Sequence, residues 1–235
     1  MNIAVIGAGP AGLLAAAEAA KAGAAVTLFD KNEKAGKKLY ITGKGRCNVT
    51  NMRPPGEFLE FVVRNRKFLY GAVYSFSPEN TVELIENNGV KTKVERGNRV
   101  FPLSDKASDI TKALVKNAER YGVKFSYNSE ITDVSKENDK FFVTSRNGKT
   151  QFDKVIVACG GMSYPSTGST GDGYAFAKKF GHKIVDLRPA LVGFTLKESV
   201  KALQGLSLRN VTATISGGGV SESRFGEMLF TSSGV

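Results

Sequence analysis

Asn2-Ile3-Ala4-Val5-Ile6-Gly7-Ala8-Gly9-Pro10-Ala11-Gly12 opens the chain behind Met1. A strand-like stretch, Asn2 with the four apolar residues Ile3 to Ile6, runs straight into a GxGxxG turn, which then opens an Ala- and Leu-rich stretch from Pro10 to Ala22, closed by Gly23. A strand, a glycine turn and a helix in that order are the context that gives the motif meaning. Gly7 permits the tight turn, Gly9 lets the backbone approach a pyrophosphate, and Gly12 allows close contact between helix and strand. Ala16 and Gly23 stand where such a helix packs closely, and a second strand, Ala25 to Phe29, ends in Asp30. The helix N-terminus, with Pro10 at its first position, offers unpaired N–H groups and partial positive charge to phosphates. Asp30 can accept hydrogen bonds from a ribose diol, and an acidic residue there disfavours a 2′-phosphate. The first thirty residues therefore read as a βαβ dinucleotide-binding half-site, with NAD and FAD both open at this point.

Working outward, residues 31–56 are rich in Gly, Lys, Asn and Pro and show little periodicity, so a long loop is expected. Its stretch from Gly36 to Asn51 holds Lys37, Lys38, Gly43, Lys44, Gly45, Arg46, Cys47 and Asn48. That composition suits a backbone wrapped round an anionic, ring-bearing ligand; a disordered basic loop is the alternative. Helical spacing is expected from Glu57 to Phe76, then from Ser77-Pro78 to about Asn88, and again from Ser104 to Tyr121. Val90 to Phe101 reads as a hairpin turning near Gly97-Asn98. From Val123 to about Asp153 the apolar period is two and Asn147-Gly148 marks a tight turn, so a β-meander is expected there. Val155-Ile156-Val157-Ala158-Cys159-Gly160-Gly161 is a second apolar strand ending in small residues, a pattern common where flavoprotein folds return to their first sheet. Asp172 to Phe180 reads as a helix, and beyond about Pro189 the pattern turns β-rich, with strands expected at Val192–Leu196 and Val211–Ile215.

The bulk composition bounds the rest. Hydrophobic residues make up 41% of 235, enough for a sizeable core. No run approaches the roughly 18 apolar residues of a membrane span, and no signal-peptide pattern precedes the first strand. Cys47 and Cys159 with the single histidine, His182, give no zinc set, so no metal is expected. Two free thiols suit the cytoplasm. The net charge of +11 reads either as a solvated basic surface or as the footprint of a polyanion such as RNA. The basic residues gather at Lys31–Arg46, at Arg64, Arg66 and Lys67, and between Lys91 and Arg99. The chain stops at Thr231-Ser232-Ser233-Gly234-Val235, directly after the apolar run Met228-Leu229-Phe230, and this reads as the interior of a longer protein.

Several blocks carry a resemblance. The fingerprint, Ile41 to Asn51, Gly160-Gly161-Met162-Ser163-Tyr164-Pro165, Thr167 to Gly173, and Arg188-Pro189-Ala190-Leu191-Val192 together resemble the BaiN/RdsA-type, or aminoacetone-oxidase-like, flavoproteins. The resemblance implies an NAD(P)/FAD-dependent oxidoreductase of α/β class. Its fold would be a two-dinucleotide-binding, Rossmann-like FAD domain with a small helical insertion and the start of a β-rich inserted domain. This chain would be the N-terminal fragment of members about 400 residues long. The expected division is an FAD-binding domain at 1–190, with its insertion at about 57–120 and its meander at about 123–153, and a truncated second domain at 191–235.

For the cofactor, the resemblance implies Gly7, Gly9, Pro10, Ala11 and Gly12 at the pyrophosphate and Asp30 with Lys31 at the adenosine ribose. Lys38, Gly43, Gly45, Arg46, Cys47 and Asn48 would line the stretch from pyrophosphate to flavin. Ile131 would lie at the adenine, and Ala158, Gly160 and Gly161 would pass close to the cofactor. No catalytic acid, base or nucleophile stands out, as expected where the flavin does the redox chemistry. Cys47 sits among cations that would lower a thiol pKa, but a packed or flavin-adjacent thiol is the preferred reading. His182 after Gly181 reads as a helix cap. With no second GxGxxG, NAD(P)H would serve only as a transient donor, and molecular oxygen is an alternative acceptor. The family includes rRNA uridine reductases. An aminoketone or enone oxidase or reductase and a non-catalytic FAD-binding fragment are the other readings.

Overall fold

The structure is a computed structural model that describes residues 1–189 and 192–235. The chain folds as two compact units, Met1–Ile184 and Val185–Val235. The expected boundary near residue 190, with Ala190 and Leu191 of the quoted block, lies outside the described residues.

The first unit begins as the fingerprint dictates. Strand β1 (Asn2–Ile6) leads through the glycine turn into helix α1 (Pro10–Lys21), and strand β2 (Ala25–Phe29) follows. The long segment after β2 is ordered: it holds a kinked 3-10 stretch at Leu39–Gly45 and a short strand β3 (Thr50–Asn51). The expected helix over Glu57–Phe76 is two helices, α2 (Pro55–Glu60) and α3 (Arg66–Ser75), separated by Asn65 in a left-handed conformation at φ 53°. Helix α4 (Pro78–Asn87) starts at a reciprocal cap in which Ser77 Oγ accepts from the Asn80 N–H and Asn80 Oδ1 accepts from the Ser77 N–H. Strands β4 (Thr92–Glu95) and β5 (Arg99–Pro102) form the expected hairpin, and β3 pairs with β5 to make a three-stranded antiparallel sheet.

Helix α5 (Ala107–Arg120) comes next. Strand β6 (Lys124–Ser126) pairs in parallel with β2, so it belongs to the dinucleotide sheet and not to the meander that period-two reading extended back to residue 123. The meander proper is β7 (Ile131–Glu137), β8 (Lys140–Ser145) and β9 (Gly148–Phe152). Strand β10 (Lys154–Val157) returns to pair in parallel with β1, giving the order β10-β1-β2-β6. Helix α6 (Asp172–Lys179) closes the unit. It ends in the expected glycine cap: Gly181 at φ 81°, with the His182 N–H donating to Ala177 O at 3.1 Å.

Strand alternation explains the layering. Ile3 and Val5 face one side with Leu28, Leu13, Ala16, Ala17, Ile110 and Leu114, so α1 and α5 cover that face. Ala4 and Ile6 face the other side with Ile131, Val134, Val143, Phe152 and Phe176, so the meander and α6 cover that one. Helix α5 is therefore part of the dinucleotide layer, although the expected division placed it in the insertion at about 57–120.

The second unit holds a long hairpin, β11 (Ser207–Gly217) and β12 (Val220–Leu229), turning at Gly218-Gly219. The expected strand Val211–Ile215 lies within β11; of Val192–Leu196 only Thr195 makes a bridge, to Gly234. No residue of β11 or β12 is buried.

Candidate dinucleotide site

The strand order reverses between β1 and β10, so the carboxyl ends of β1, β2 and β10 open a crevice at a topological switch point. Backbone hydrogen bonds hold those ends together. The Gly7 N–H donates to Phe29 O at 2.8 Å, and the Ala158 N–H donates to Ile6 O at 2.8 Å. The crevice contains a cavity of about 300 Å³ whose wall includes Gly7, Gly9, Pro10, Ala11, Asp30 and Ala158.

The glycines divide by function. Gly7 has φ 106°, and a Cβ there would stand 2.5 Å from Ala158 O; on Gly12 it would run into the carbonyl oxygen of Gly7. These two are required for the chain to close on itself. A Cβ on Gly9 would meet nothing within 4 Å. Gly9 is the N-cap of α1, in extended conformation with φ −74°, so its bareness serves the space in front of the helix and not the fold.

Asp30 is fixed from two sides. Its Oδ2 accepts from the Ala8 N–H at 2.7 Å, and its Oδ1 accepts from the N–H and Nδ2 of Asn32 at 2.8 and 2.9 Å. Each carboxylate oxygen takes about two hydrogen bonds, so Oδ2 keeps one free site. Lys31 reaches the start of α6: its Nζ donates to Asp172 Oδ2 at 2.7 Å and to Thr170 Oγ1 at 2.5 Å. Thr170 in turn donates to Asp172 Oδ1 at 2.9 Å. Burial pushes the Asp172 carboxyl up, but the bonds from Lys31 and Thr170 outweigh it and leave the group below the usual carboxylate range.

The structure brings Gly7, Gly9, Pro10, Ala11, Asp30, Lys31, Lys38, Ile131, Ala158 and Gly160 together on this one wall. Gly12 lies just behind it in α1, and Gly161 lies beyond its edge with room for a Cβ only 3.3 Å from Tyr174 Oη. Gly43, Gly45, Arg46, Cys47 and Asn48 do not line the cavity. Their loop packs on the β4–β5 hairpin instead. Arg46 donates to both oxygens of Glu95, at 2.8 and 3.2 Å, and to Asp105, and lies 4.0 Å above the Phe101 ring. Those hydrogen bonds raise the Arg46 pKa and lower that of Glu95. Cys47 is 1% exposed, and burial pushes its thiol up against a smaller opposing effect from Thr42, so it is the packed thiol. Asn48, with its amide turned so that Nδ2 faces the carbonyls of Thr50 and Val100, also ties down this loop.

Sequence reasoning missed Asn32, Ser129, Glu130, Ser169 and Asp172 in the wall. The Thr167–Gly173 block held the signal for the last two, but only the folded chain sets them opposite Lys31. Cys159 also lines the cavity; burial, followed by the nearby Asp172 charge, pushes its thiol up to about 11.

A parallel sheet with a glycine crevice at its switch point and a crossing β-meander defines an α/β, Rossmann-like fold of the flavoprotein kind. The same architecture occurs in the open form of a flavocytochrome c3 fumarate reductase, with a TM-score of 0.62 at 22% identity over 89% of this chain and 47% of that one. A 3-ketosteroid-delta4-(5alpha)-dehydrogenase from Rhodococcus jostii matches with a TM-score of 0.52 at 16% identity, over 69% and 46% of the two chains. Residues 1–234 match the HI0933-like protein Rossmann domain, and the chain belongs to that family. Among curated relatives, a ribosomal RNA dihydrouridine synthase of Haemophilus influenzae is 33% identical over 98% of this chain and 58% of its own length. A 3-dehydro-bile acid delta(4,6)-reductase of Clostridium scindens is 35% identical over 100% and 57%. The chain thus spans somewhat over half the length of the relatives it matches. Among the described residues no helix is long and apolar enough to cross a membrane.

Proposed function

We propose that this chain is the FAD-holding part of a flavin-dependent reductase whose substrate is uridine in ribosomal RNA. The observation that carries the cofactor reading is the crevice in front of α1, where Gly9 leaves open space beside a fixed carboxylate. The residues present fit the adenosine and pyrophosphate parts of FAD. The first-turn N–H groups of α1 have no partner within the helix and would hold the phosphates. Asp30 Oδ2 has one acceptor site left for a ribose hydroxyl, and its charge repels a 2′-phosphate. Ser129, Glu130 and Ile131 border the cavity where a backbone contact to adenine is expected. When bound, FAD supplies the hydride chemistry; the protein's task is to hold and orient it. NAD(P)H as transient electron donor fits a chain with one GxGxxG and no second.

The RNA reading is supported by the net charge of +11 and by the dihydrouridine synthases among the relatives. It agrees with a cytoplasmic location. Uridine reduction and delta(4,6) reduction of a 3-oxo steroid share one chemistry, hydride addition to a carbon–carbon double bond conjugated to a carbonyl. The bile acid reductase among the relatives therefore favours an enone as the second reading.

The cofactor reading is tested by the absorbance of the purified chain titrated with FAD, beside the Gly9→Asp variant. Aspartate is a good helix N-cap, so the variant keeps its fold by circular dichroism while its carboxylate opposes the pyrophosphate. Flavin bands in the parent chain and their loss in a folded Gly9→Asp are expected; a parent that never acquires flavin overturns the reading. For the substrate, the longer protein with FAD and NAD(P)H is given ribosomal RNA, and mass spectrometry reads two added hydrogens at uridine. Turnover of a 3-oxo-4,6-diene steroid with no change to RNA would move the assignment to the enone.

A further inference from the structure

We propose that α3 and the loop before it form a platform for single-stranded RNA. This rests on the RNA substrate assigned above and names where the strand lies. Helix α3 is unusual within its unit because none of its residues is buried. From Phe61 to Pro78 the chain carries Arg64, Arg66 and Lys67 and not one acidic residue. Those three cations form no ion pair among the described residues, whereas Arg53, next door, is spent on Glu57 at 3.1 Å.

Aromatic rings stand among them. Tyr70 and Tyr74 are exposed and stack on each other with centroids 4.5 Å apart and planes 21° from parallel. Phe68 is 86% exposed, and Phe61 lies under the Arg53 guanidinium at 4.8 Å. Residues three and four apart share a helix face, so Arg66, Lys67, Tyr70 and Tyr74 make one stripe: two cations, then two flat rings.

That alternation suits one partner. The core of a protein–protein interface is depleted in lysine and in charge generally, and this stripe has uncompensated charge beside its rings. Double-stranded RNA hides its base faces and is held by its backbone. A single strand offers phosphates to the cations and base faces to the tyrosines, the combination that non-specific single-strand sites use. The substrate needs it as well, since an enzyme working on a base takes that base out of its stack.

The test is fluorescence anisotropy of a labelled, uridine-containing single-stranded oligoribonucleotide against the chain at several salt concentrations. Arg64→Gln/Arg66→Gln/Lys67→Gln is expected to weaken binding at least tenfold and to flatten the salt slope by about 2, at ~0.7 for each phosphate no longer neutralised. Tyr70→Ala/Tyr74→Ala is expected to weaken binding several-fold with the slope unchanged, and Tyr70→Phe/Tyr74→Phe to restore it. The control is Lys112→Gln/Lys116→Gln/Lys183→Gln, which removes equal charge elsewhere. If the control weakens binding as much, or the α3 variants bind as the parent does, the platform is overturned while the RNA reading stands. If the parent binds no RNA, the platform is overturned, and the RNA reading is decided by turnover of ribosomal RNA by the longer protein. If the tyrosine variants change only the sedimentation of the chain, a second copy covers this face and the platform is overturned. Flavin absorbance, followed in parallel, reports on the cofactor reading separately.

Discussion

Lys31 Nζ and Asp172 Oδ2 stand 2.7 Å apart, one at the end of β2 and the other at the start of α6. They are separated by most of the first unit in sequence, and Asn32, next to Lys31, repeats the link by donating to Thr167 O at 3.2 Å. This clasp ties the turn-rich segment 160–172 to the end of β2 along the wall of the crevice.

Asp172→Asn should weaken FAD retention by a few-fold, because a partly exposed ion pair contributes about 0.2–1 kcal/mol. Equilibrium dialysis of the variant against the parent measures it. The pH dependence has a definite sign. The Asp172 carboxyl is held below its ordinary value in the folded chain, so its contribution is fully present above about pH 4. It is lost as pH falls through the lower folded value. The parent should therefore release FAD more readily on acidification into that range, and Asp172→Asn should show less of this dependence. Equal acid sensitivity in the two would remove the clasp from the account.

The two glycines that begin the fingerprint should respond unequally to a methyl group. Gly7→Ala puts a Cβ against Ala158 O at positive φ, and the strained turn should destabilise the chain by about 1–3 kcal/mol or more. Gly9→Ala meets no protein atom and should cost only what a lost glycine N-cap costs, about 1 kcal/mol or less. Urea titrations of both variants give the comparison.

Neither thiol should react readily at neutral pH. With Cys159 raised to about 11, roughly one molecule in a thousand carries its thiolate at pH 8. Cys47 is buried outright. Iodoacetamide labelling of the native chain, read by mass spectrometry, should be slow at pH 8 and quicken for Cys159 only towards pH 11. Fast labelling of Cys47 would show that Arg46 does activate it.

Leu28 is fully buried between β1, α1 and α5, and Leu28→Ala should destabilise the chain by about 2–5 kcal/mol. Glu95→Gln breaks the two-pronged ion pair with Arg46 on the exposed side and should lower the melting temperature far less. Its effect should shrink further at high salt, since exposed pairs are screened. Differential scanning calorimetry of both variants tests the ranking.

The elements were legible wherever one local rule governed them. Ser77-Pro78 announced α4, Gly97-Asn98 announced the β4–β5 turn, and Asn147-Gly148 announced the β8–β9 turn. The helix at Glu57–Phe76 failed because Leu69 and Val73 continue the apolar spacing across Asn65, whose left-handed backbone breaks the helix without a proline or glycine to mark it. The 3-10 segment at Leu39–Gly45 was unreadable for the opposite reason: it has three non-helical residues within it and no apolar period at all.

What the sequence determined by itself was the half-site: four apolar residues, three glycines at fixed spacing, a helix and a terminal aspartate, each demanded by chain geometry within thirty residues. What only the tertiary structure decided was the company that site keeps. Lys124–Ser126 carries the same alternation whether it joins the meander or the parallel sheet, and only pairing with β2 settles it. Arg46 reads as a cofactor ligand in its motif, yet its charge is met by Glu95 and Asp105 from a hairpin far along the chain. Lys31 is expected beside the ribose, and only the fold brings Asp172 of α6 to it. Local backbone rules act over a few residues, while charge pairing and strand partnership are settled by whichever distant segment the core brings near.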